Sequence, residues 1–307
     1  MSVMLLFIDG VGLGDEASYN PWYTCPTPHL ENMLSGMSLV KNAVGRHSSD
    51  VILLETDASM GVPGLPQSAT GQATIFTGRN APKAMGEHQR GLPFRRLRNW
   101  VEQDNIYLQF QENDLRATFS NAYTKKFYDL PTTRKGWISV STAAIQSTGQ
   151  PLRMLEELLA GQAVFHDLTR KTLIHSHAAV EEISPEMAAS HLLRLAEGYD
   201  LVIHEFFLSD FAGHKQDQDL IGWVTHHYDR FIGELVRSKG KQDGIVLVSD
   251  HGNSEDFRIK THTYNSVPTL LVGDIFSEWK SRKGWDLTQI APLLLHSAQK
   301  YANQDMK

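Results

Sequence analysis

Apolar residues in this 307-residue chain gather into short unbroken runs, separated by polar stretches in which apolar positions recur at helical spacing. Val3–Ile8 reads VMLLFI and meets the turn residues DGVGLG, and Val51–Glu55 reads VILLE; short runs bounded in this way predict buried strands. Leu115–Ala122, Tyr199–Phe207 and Gly244–Ser249 have the same character. Between them, Leu92–Phe110 spaces Leu97, Trp100, Val101 and Leu108 as a helix does, and Trp223–Leu235 is a second helical stretch. Ser184-Pro185-Glu186 has the grammar of a helix start: a serine cap, proline at the first position and an acid in the first turn. The helix it opens carries Met187, Leu192, Leu193 and Leu195 and stops at Gly198. Strands alternating with helices predict an α/β fold, a mostly parallel central sheet with helices on both faces.

The rhythm breaks in the middle. Residues 125–182 contain DLPTTRKGW, Ser/Thr-rich stretches and one helical segment, Pro151–Leu159. The expected organisation is a core of residues 1–124 and 183–307 interrupted by an inserted cap, 125–182. An apolar fraction of 41% with 21% charged residues permits a large core without covalent staples. The formal charge of −6 argues against nucleic acid as the partner, because phosphate backbones are held by basic surfaces. A single cysteine, Cys25, excludes an internal disulfide and fits a reducing compartment. The first apolar run is too short for a signal sequence, and no stretch approaches membrane-spanning length. The expectation is a cytoplasmic protein with neither membrane nor nucleic acid as partner; the oligomeric state stays open.

Chemistry enters where the strands end. MLLFID runs into Asp9, LVIHEFFLSD into Asp210 and IVLVSD into Asp250. In open parallel sheets ligands bind just beyond the carboxyl ends of strands. Three acids on one edge repel unless cations sit among them. His214 follows Asp210 in DFAGH, His251 follows Asp250, and His262 lies in THT. Taken singly, such an Asp is a turn or cap residue and such a His a surface or core residue; together they form a ligand set. Mixed Asp and His ligands suit Zn²⁺ or Mn²⁺ better than Ca²⁺ or Mg²⁺. A second stretch, Gly61–Pro82, allows close backbone approach and offers hydroxyls at Ser68, Thr70, Thr74 and Thr77. A divalent ion lowers the pKa of a bound hydroxyl enough to make a nucleophile without a general base. GVGLG is not a dinucleotide fingerprint, because Asp15 stands where the third glycine is required.

DGVGLG, GLPQSATGQ, DFAGH, DHGN and KTHTYNSVP occur in this order. Together they resemble the alkaline phosphatase superfamily, and most closely its branch of cofactor-independent phosphoglycerate mutases and phosphopentomutases. The resemblance covers residues 1–80 and 185–273, and weakly 92–123. It implies two divalent ions, one held by Asp210, His214 and His262, the other by Asp9, Asp250 and His251 with the oxygen of Ser68. It also implies Ser68 as the nucleophile, read from the pattern S/T-x-x-G-H. Gln72 stands where that pattern has histidine, which keeps Thr70 as second candidate. Arg79, Lys83, His88 and Arg90 follow the nucleophile stretch as candidates for binding phosphate. The expected function is two-metal phosphoryl transfer on a small phosphorylated substrate, as a phosphohydrolase with a phosphoserine intermediate. A phosphomutase is the second reading, since the mutases carry larger inserted domains; a non-catalytic metal-binding protein on the same fold is a third.

Overall fold

The apolar runs assemble into one seven-stranded sheet. The computed structural model of the chain describes residues 1–174, 180–279 and 284–302. The strands are β1 (Val3–Ile8), β2 (Gly45–Arg46), β3 (Val51–Thr56), β4 (Ala117–Phe119), β5 (Leu201–Phe206), β6 (Gly244–Val248) and β7 (Val267–Val272), in the spatial order β2-β3-β7-β6-β1-β5-β4. β6, β1, β5 and β4 form a parallel block. β7 is antiparallel to both its neighbours, and β2 to β3. β3, antiparallel to an antiparallel strand, runs with the block, so five of the seven strands share one direction.

β1 shows why its residues had to be apolar throughout. Val3, Leu5 and Phe7 enter one core and Met4, Leu6 and Ile8 the other, the period-two alternation of a strand covered on both faces. The first core is closed by the helices Ser68–Thr77, Arg95–Gln103 and Ile290–Ala302, through residues such as Ala73, Leu97 and Leu294. The second is closed by the helices Pro185–Ala196 and Gln218–Ser238, through Leu192, Val224 and Phe231.

Several expected boundaries shift, each for a local reason. The expected helix Leu92–Phe110 is two helices, Arg95–Gln103 and Ile106–Glu112. Asp104 between them is extended, and the Asn105 side chain accepts from the amides of Tyr107 and Leu108, capping the second. Pro151–Leu159 shortens to Leu155–Leu159, while Trp223–Leu235 lengthens to Gln218–Ser238, capped by Asp217. Ser184 caps its helix as the grammar predicts, accepting from the Met187 amide. β4 is shorter than Leu115–Ala122 because Asn121 and Ala122 leave the sheet and bridge to Val164 and Arg153. β7 is an addition to the expected set. Its Pro268 lies outside the β6–β7 ladder, which begins at Thr269, so the missing N–H disturbs no bond there.

Among the described residues, 125–182 adds no strand to the sheet. Its helix Val140–Gln146 packs into the first core through Val140, Ala144 and Ile145. Leu158, Ala163, Phe165 and Leu173, with Ala122 and Val180, make a small third cluster. Residues 175–179 of the expected cap lie outside the described residues. We propose that the cap proper is the part built on this third cluster, and that Val140–Gln146 belongs to the core. No helix among the described residues is long and apolar enough to cross a membrane.

Candidate metal centre

β1 lies between β5 and β6, so the residues that follow these three strands open on one edge. Asp9 follows β1 directly, and its amide donates to the Phe206 carbonyl at the end of β5 (2.9 Å). Asp250 stands two residues beyond β6. Asp210 is not at a strand end as expected: β5 stops at Phe206, and Asp210 rides the first turn of the helix Leu208–Lys215, with His214 one turn later. His251 and His262 sit on the loop joining the antiparallel pair β6 and β7. That loop is pinched shut by the Thr263 amide donating to the Gly252 carbonyl (2.9 Å), which brings the two histidines to the same end.

Six side chains converge there. His251 Nε2 lies 3.2 Å from Asp9 Oδ1 and 3.6 Å from Asp250 Oδ2. His214 Nε2 lies 3.3 Å from Asp210 Oδ2 and 3.3 Å from His262 Nε2, and His262 Nε2 is 3.9 Å from Asp210 Oδ1. The rings of His251 and His262 stack with centroids 3.6 Å apart, joining the two groups.

Two observations test whether these residues fit divalent ions. Asp210 Oδ1 and Asp250 Oδ2 are buried and accept no hydrogen bond, and Asp9 Oδ1 has only the His251 ring beside it, a costly arrangement for three carboxylates without a further cation. The histidines are also turned for ligation. His262 Nδ1 faces the Pro66 carbonyl (2.8 Å) and His214 Nδ1 the Lys260 carbonyl (2.7 Å). A carbonyl only accepts, so each Nδ1 carries a hydrogen and Nε2 is the atom turned toward the acids: a lone pair free for a cation when the ring is neutral, and in His214 a donor to Asp210 when the ring is protonated. The donor set of carboxylate oxygens and imidazole nitrogens fits ions of the Zn²⁺ or Mn²⁺ kind.

The protein's own charges report the same crowding. Burial, then the charge of Asp210, raises Asp9; burial, then Asp9, raises Asp250 well above the ordinary carboxyl range. Burial works against a charge on His251, but Asp250 and Asp9 hold it up to about 10. Burial, then His251, lowers His262 to about 4. Burial presses Asp210 upward, yet the hydrogen bond from His214 and the charge of His251 leave it below its usual value. The bond to Asp210 raises His214 in turn.

Ser68 reaches this group from the opposite side. It is the first residue of the helix Ser68–Thr77, and its Oγ lies 2.9 Å from His251 Nε2. Gly71 permits the approach: a Cβ there would sit 2.8 Å from the Asp250 carbonyl oxygen, so a larger residue would push the helix away. Gly10 does the same beneath Asp210, with φ of +68 and a virtual Cβ 2.5 Å from Asp210 Oδ1. Thr70 faces elsewhere. Its Oγ1 accepts from the Gln89 amide (3.1 Å) and donates to the Gln67 carbonyl (3.3 Å).

The expected phosphate-binding residues separate. Arg79 lies beyond the far end of the Ser68 helix, about 15 Å away by helical rise. Its guanidinium stacks on Trp100 at 3.9 Å, pairs with Asp104 at 3.2 Å and bonds two backbone carbonyls. The structure therefore gives Arg79 a packing role and does not bring it to the centre. Lys83 is on the next short helix, exposed. His88 bonds the Val62 carbonyl and is lowered by burial, and Arg90 is exposed beside Gln89, which holds the start of the Ser68 helix.

One residue escapes sequence reasoning. Glu255 is fully buried and takes hydrogen bonds from the Gly12 amide (2.9 Å), the Asn253 amide (2.7 Å), Asn265 Nδ2 (3.0 Å) and Thr263 Oγ1. It thereby ties the loop that follows β1 and carries Asp9 to both arms of the β6–β7 loop, which carry His251 and His262. Its only signal was an acid inside DHGNSED, next to residues already marked for ligation. Serine hydroxyls add further ties: Ser209 donates to the Asp9 carbonyl (2.6 Å), Ser254 to the Gly10 carbonyl (2.7 Å), and Ser249 accepts from the Val11 amide (2.9 Å).

An α/β sheet of this order, with acids and imidazoles collected on one edge around a helix-borne serine, is an alkaline phosphatase-like fold. The chain belongs to the Metalloenzyme superfamily, which it matches over residues 1–300. It is 31% identical over 125 residues to the 2,3-bisphosphoglycerate-independent phosphoglycerate mutase of Desulforudis audaxviator, covering 37% of this chain and 24% of that enzyme. The enzyme of the same name from a Ruegeria species is 32% identical over 123 residues, covering 38% and 24%. These matches thus span about a quarter of the relatives' length. Among solved structures, a protein from Pyrococcus horikoshii superposes with a TM-score of 0.56 at 14% identity, over 97% of both chains. Alkaline phosphatase from the Antarctic bacterium TAB5 superposes with a TM-score of 0.50 at 13% identity, again over 97% of both. The structural likeness establishes the fold, and the superfamily establishes a metalloenzyme.

Proposed function

We propose that this protein transfers the phosphoryl group of a small phosphate ester to Ser68 and then to water, making it a phosphohydrolase. The observation that carries the reading is the position of Ser68 Oγ, 2.9 Å from His251 Nε2 and at the start of a helix packed against Asp250. Asp210, His214 and His262 would hold one divalent ion, and Asp9, Asp250 and His251, with Ser68 Oγ, the other. When bound, Mn²⁺ or Zn²⁺ supplies Lewis-acid stabilisation of phosphoryl charge and eases loss of the Ser68 hydroxyl proton.

The protein's share is orientation and charge. The start of the Ser68 helix presents amides not used within the helix, and its dipole favours an anion there. Ser68 Oγ forms a bond to phosphorus as the bond to the alcohol oxygen breaks. Water then attacks the phosphoserine and releases inorganic phosphate. Three carboxylates and two divalent ions leave the centre formally cationic inside an acidic protein, which draws in a phosphate dianion.

The curated relatives favour a mutase as the second reading. A mutase must keep its dephosphorylated intermediate and exclude water, which takes an extensive cover. The modest 125–182 segment supports water as the acceptor. Acid quenching during turnover is expected to leave phosphate on the Gly61–Arg79 peptide in either case. Phosphate on a histidine, or on no residue, would refute the phosphoserine. A diol monophosphate separates the two readings: a hydrolase releases inorganic phosphate, a mutase moves the group between hydroxyls without release. Two bound ions with no turnover of any ester would mark a non-catalytic metal protein. No nucleic-acid or membrane partner enters this proposal.

A further inference from the structure

The metal centre leaves one cavity beside it without a role. It lies beyond the carboxyl ends of β4 and β5, has a volume of 390 Å³, and is walled by Phe119, Tyr123, Phe127, Phe165 and Phe207. Its position ties it to the centre. Phe207 immediately precedes the helix that carries Asp210 and His214. Glu205, also in the wall, pairs in register with Phe7, two residues before Asp9. Strand alternation turns Glu205 with Leu201 and Ile203 toward the core that Ala69 and Ala73 of the Ser68 helix enter. The cavity and the nucleophile are therefore on the same face of the sheet.

Its wall is mostly apolar, with Asn121, Thr124, Ser139, His166 and Glu205 as polar points. Glu205 accepts a hydrogen bond from Ser141, and burial together with the charge of Asp9 raises its carboxyl to about 7. His166 stacks on Phe207 with centroids 4.5 Å apart, and its buried Nδ1 makes no hydrogen bond. Burial also lowers His166, so the ring is neutral. Lys126 is the one cation among the described lining residues. Specific capture of a carboxylate or a second phosphate relies on arginine forks or several cations. Five aromatic rings instead offer stacking and edge contacts.

We infer that this cavity receives the alcohol part of the phosphate ester, and that this part is an uncharged aromatic group. The inference rests on the phosphoryl-transfer reading above and adds the class of substrate to it.

The test uses the full chain loaded with Mn²⁺ and compares 2-phenylethyl phosphate, ethyl phosphate and phosphoglycolate by release of inorganic phosphate. The first two are both esters of primary alcohols, so their difference reports the ring. The expected kcat/KM is higher for 2-phenylethyl phosphate by roughly 30- to 100-fold, the gain from burying one phenyl group. Phe127→Ala and Phe165→Leu are each expected to cut that ratio by roughly tenfold. Ligand-observed NMR of 2-phenylethanol needs no turnover. Binding is expected in the parent and in Ser68→Ala and is weakened in both cavity variants. Equal kcat/KM for the two alkyl esters, a preference for phosphoglycolate, or no binding of 2-phenylethanol would overturn the inference. If no ester is turned over while 2-phenylethanol binds and the cavity variants lose it, the aromatic cavity stands and the phosphoryl-transfer reading falls.

Discussion

The two ligand groups differ in depth. Asp250 and His251 are fully enclosed and Asp9 is 7% exposed; in the other group His262 is equally buried, and the opening is at His214, whose side chain is 43% exposed. The enclosed group grows from the sheet edge itself, within two or three residues of β1 and β6, and is bound by the Glu255 hub and by serine hydroxyls. The open group is carried by a helix after β5 and a loop before β7, and its histidines are oriented by the carbonyls of Pro66 and Lys260. Rigidity and enclosure suit the side that must hold Ser68 in one position. Exposure suits the side that must admit an ester and release phosphate. Under the proposed two-ion reading, the difference would give separate tasks to two sets of similar residues.

The strongest way to break this division is at the nucleophile. Ser68→Ala is expected to lower phosphate release by at least about 1,000-fold, because the covalent step disappears. Metal content, measured by inductively coupled plasma spectrometry, should stay near two ions per chain, since six other side chains supply ligands. Thr70→Ala should cost far less, its hydroxyl being committed to Gln89 and Gln67. An inactive Thr70→Ala beside an active Ser68→Ala would transfer the role to Thr70.

Next come the ligands themselves. Asp250→Asn removes a charge from an enclosed site that water cannot enter to replace, so one of the two ions should be lost outright and activity with it. His214→Ala opens a position that water can fill, and the expected loss of affinity for the second ion is smaller, on the order of 10- to 100-fold. Metal titrations of both variants check this; equal losses would erase the distinction between an enclosed and an open group.

Glu255 tests whether enclosure depends on the hub. Glu255→Ala would strand four donors, three of them buried, and the expected loss of stability is about 3–5 kcal/mol by chemical denaturation. Glu255→Gln keeps an acceptor and should recover part of it. A neutral Glu255→Ala would show that the loops hold their places without it.

The same contrast explains which parts of the molecule were legible from residue order. Val3–Ile8 and Gly244–Val248 are covered on both faces, so their unbroken apolar runs stand out and the acids that end them stand out too. Asp210 and His214 were legible as a pair, but their helix was hidden by the preceding phenylalanines, which extend the look of a strand. β7 was obscured by Pro268, harmless only because of a ladder register that no local pattern reveals. The break at Asp104-Asn105 was missed because the apolar spacing of two helices happens to stay in phase across it. Glu255 draws its meaning from its own loop and from Gly12, more than two hundred residues away in the chain. Arg79 looked available because its partners, Trp100 and the Asp104 backbone and carboxylate, lie more than twenty residues downstream.

The smallest expected effect sharpens the comparison at the margin of the enclosed group. Glu205 is buried beside Asp9, and its carboxyl is raised from 4.5 to about 7, by burial first and the Asp9 charge after. The folded protein therefore holds a proton on Glu205 that the unfolded chain gives up at lower pH. Its contribution to stability is fully present below the unfolded value of 4.5 and is lost as pH rises through about 7. For the metal-free protein in chelator, the loss from this residue between about pH 5 and pH 8 is roughly 2–3 kcal/mol. Glu205→Gln can still accept from Ser141 but does not titrate. The parent and variant stability curves should therefore diverge with rising pH, the variant becoming relatively more stable, while titrating groups that do not feel the Glu205 charge cancel in the difference. His214, in the open group, is raised by its bond to Asp210, so its own contribution to stability is lost as pH rises through that raised value and overlaps the Glu205 range; His214→Gln in the same background leaves the Glu205 divergence unchanged if the two groups are electrically separate. Parallel curves for parent and Glu205→Gln would mean that the Glu205 carboxyl keeps its ordinary value in the folded protein, and that neither burial nor the Asp9 charge acts on it.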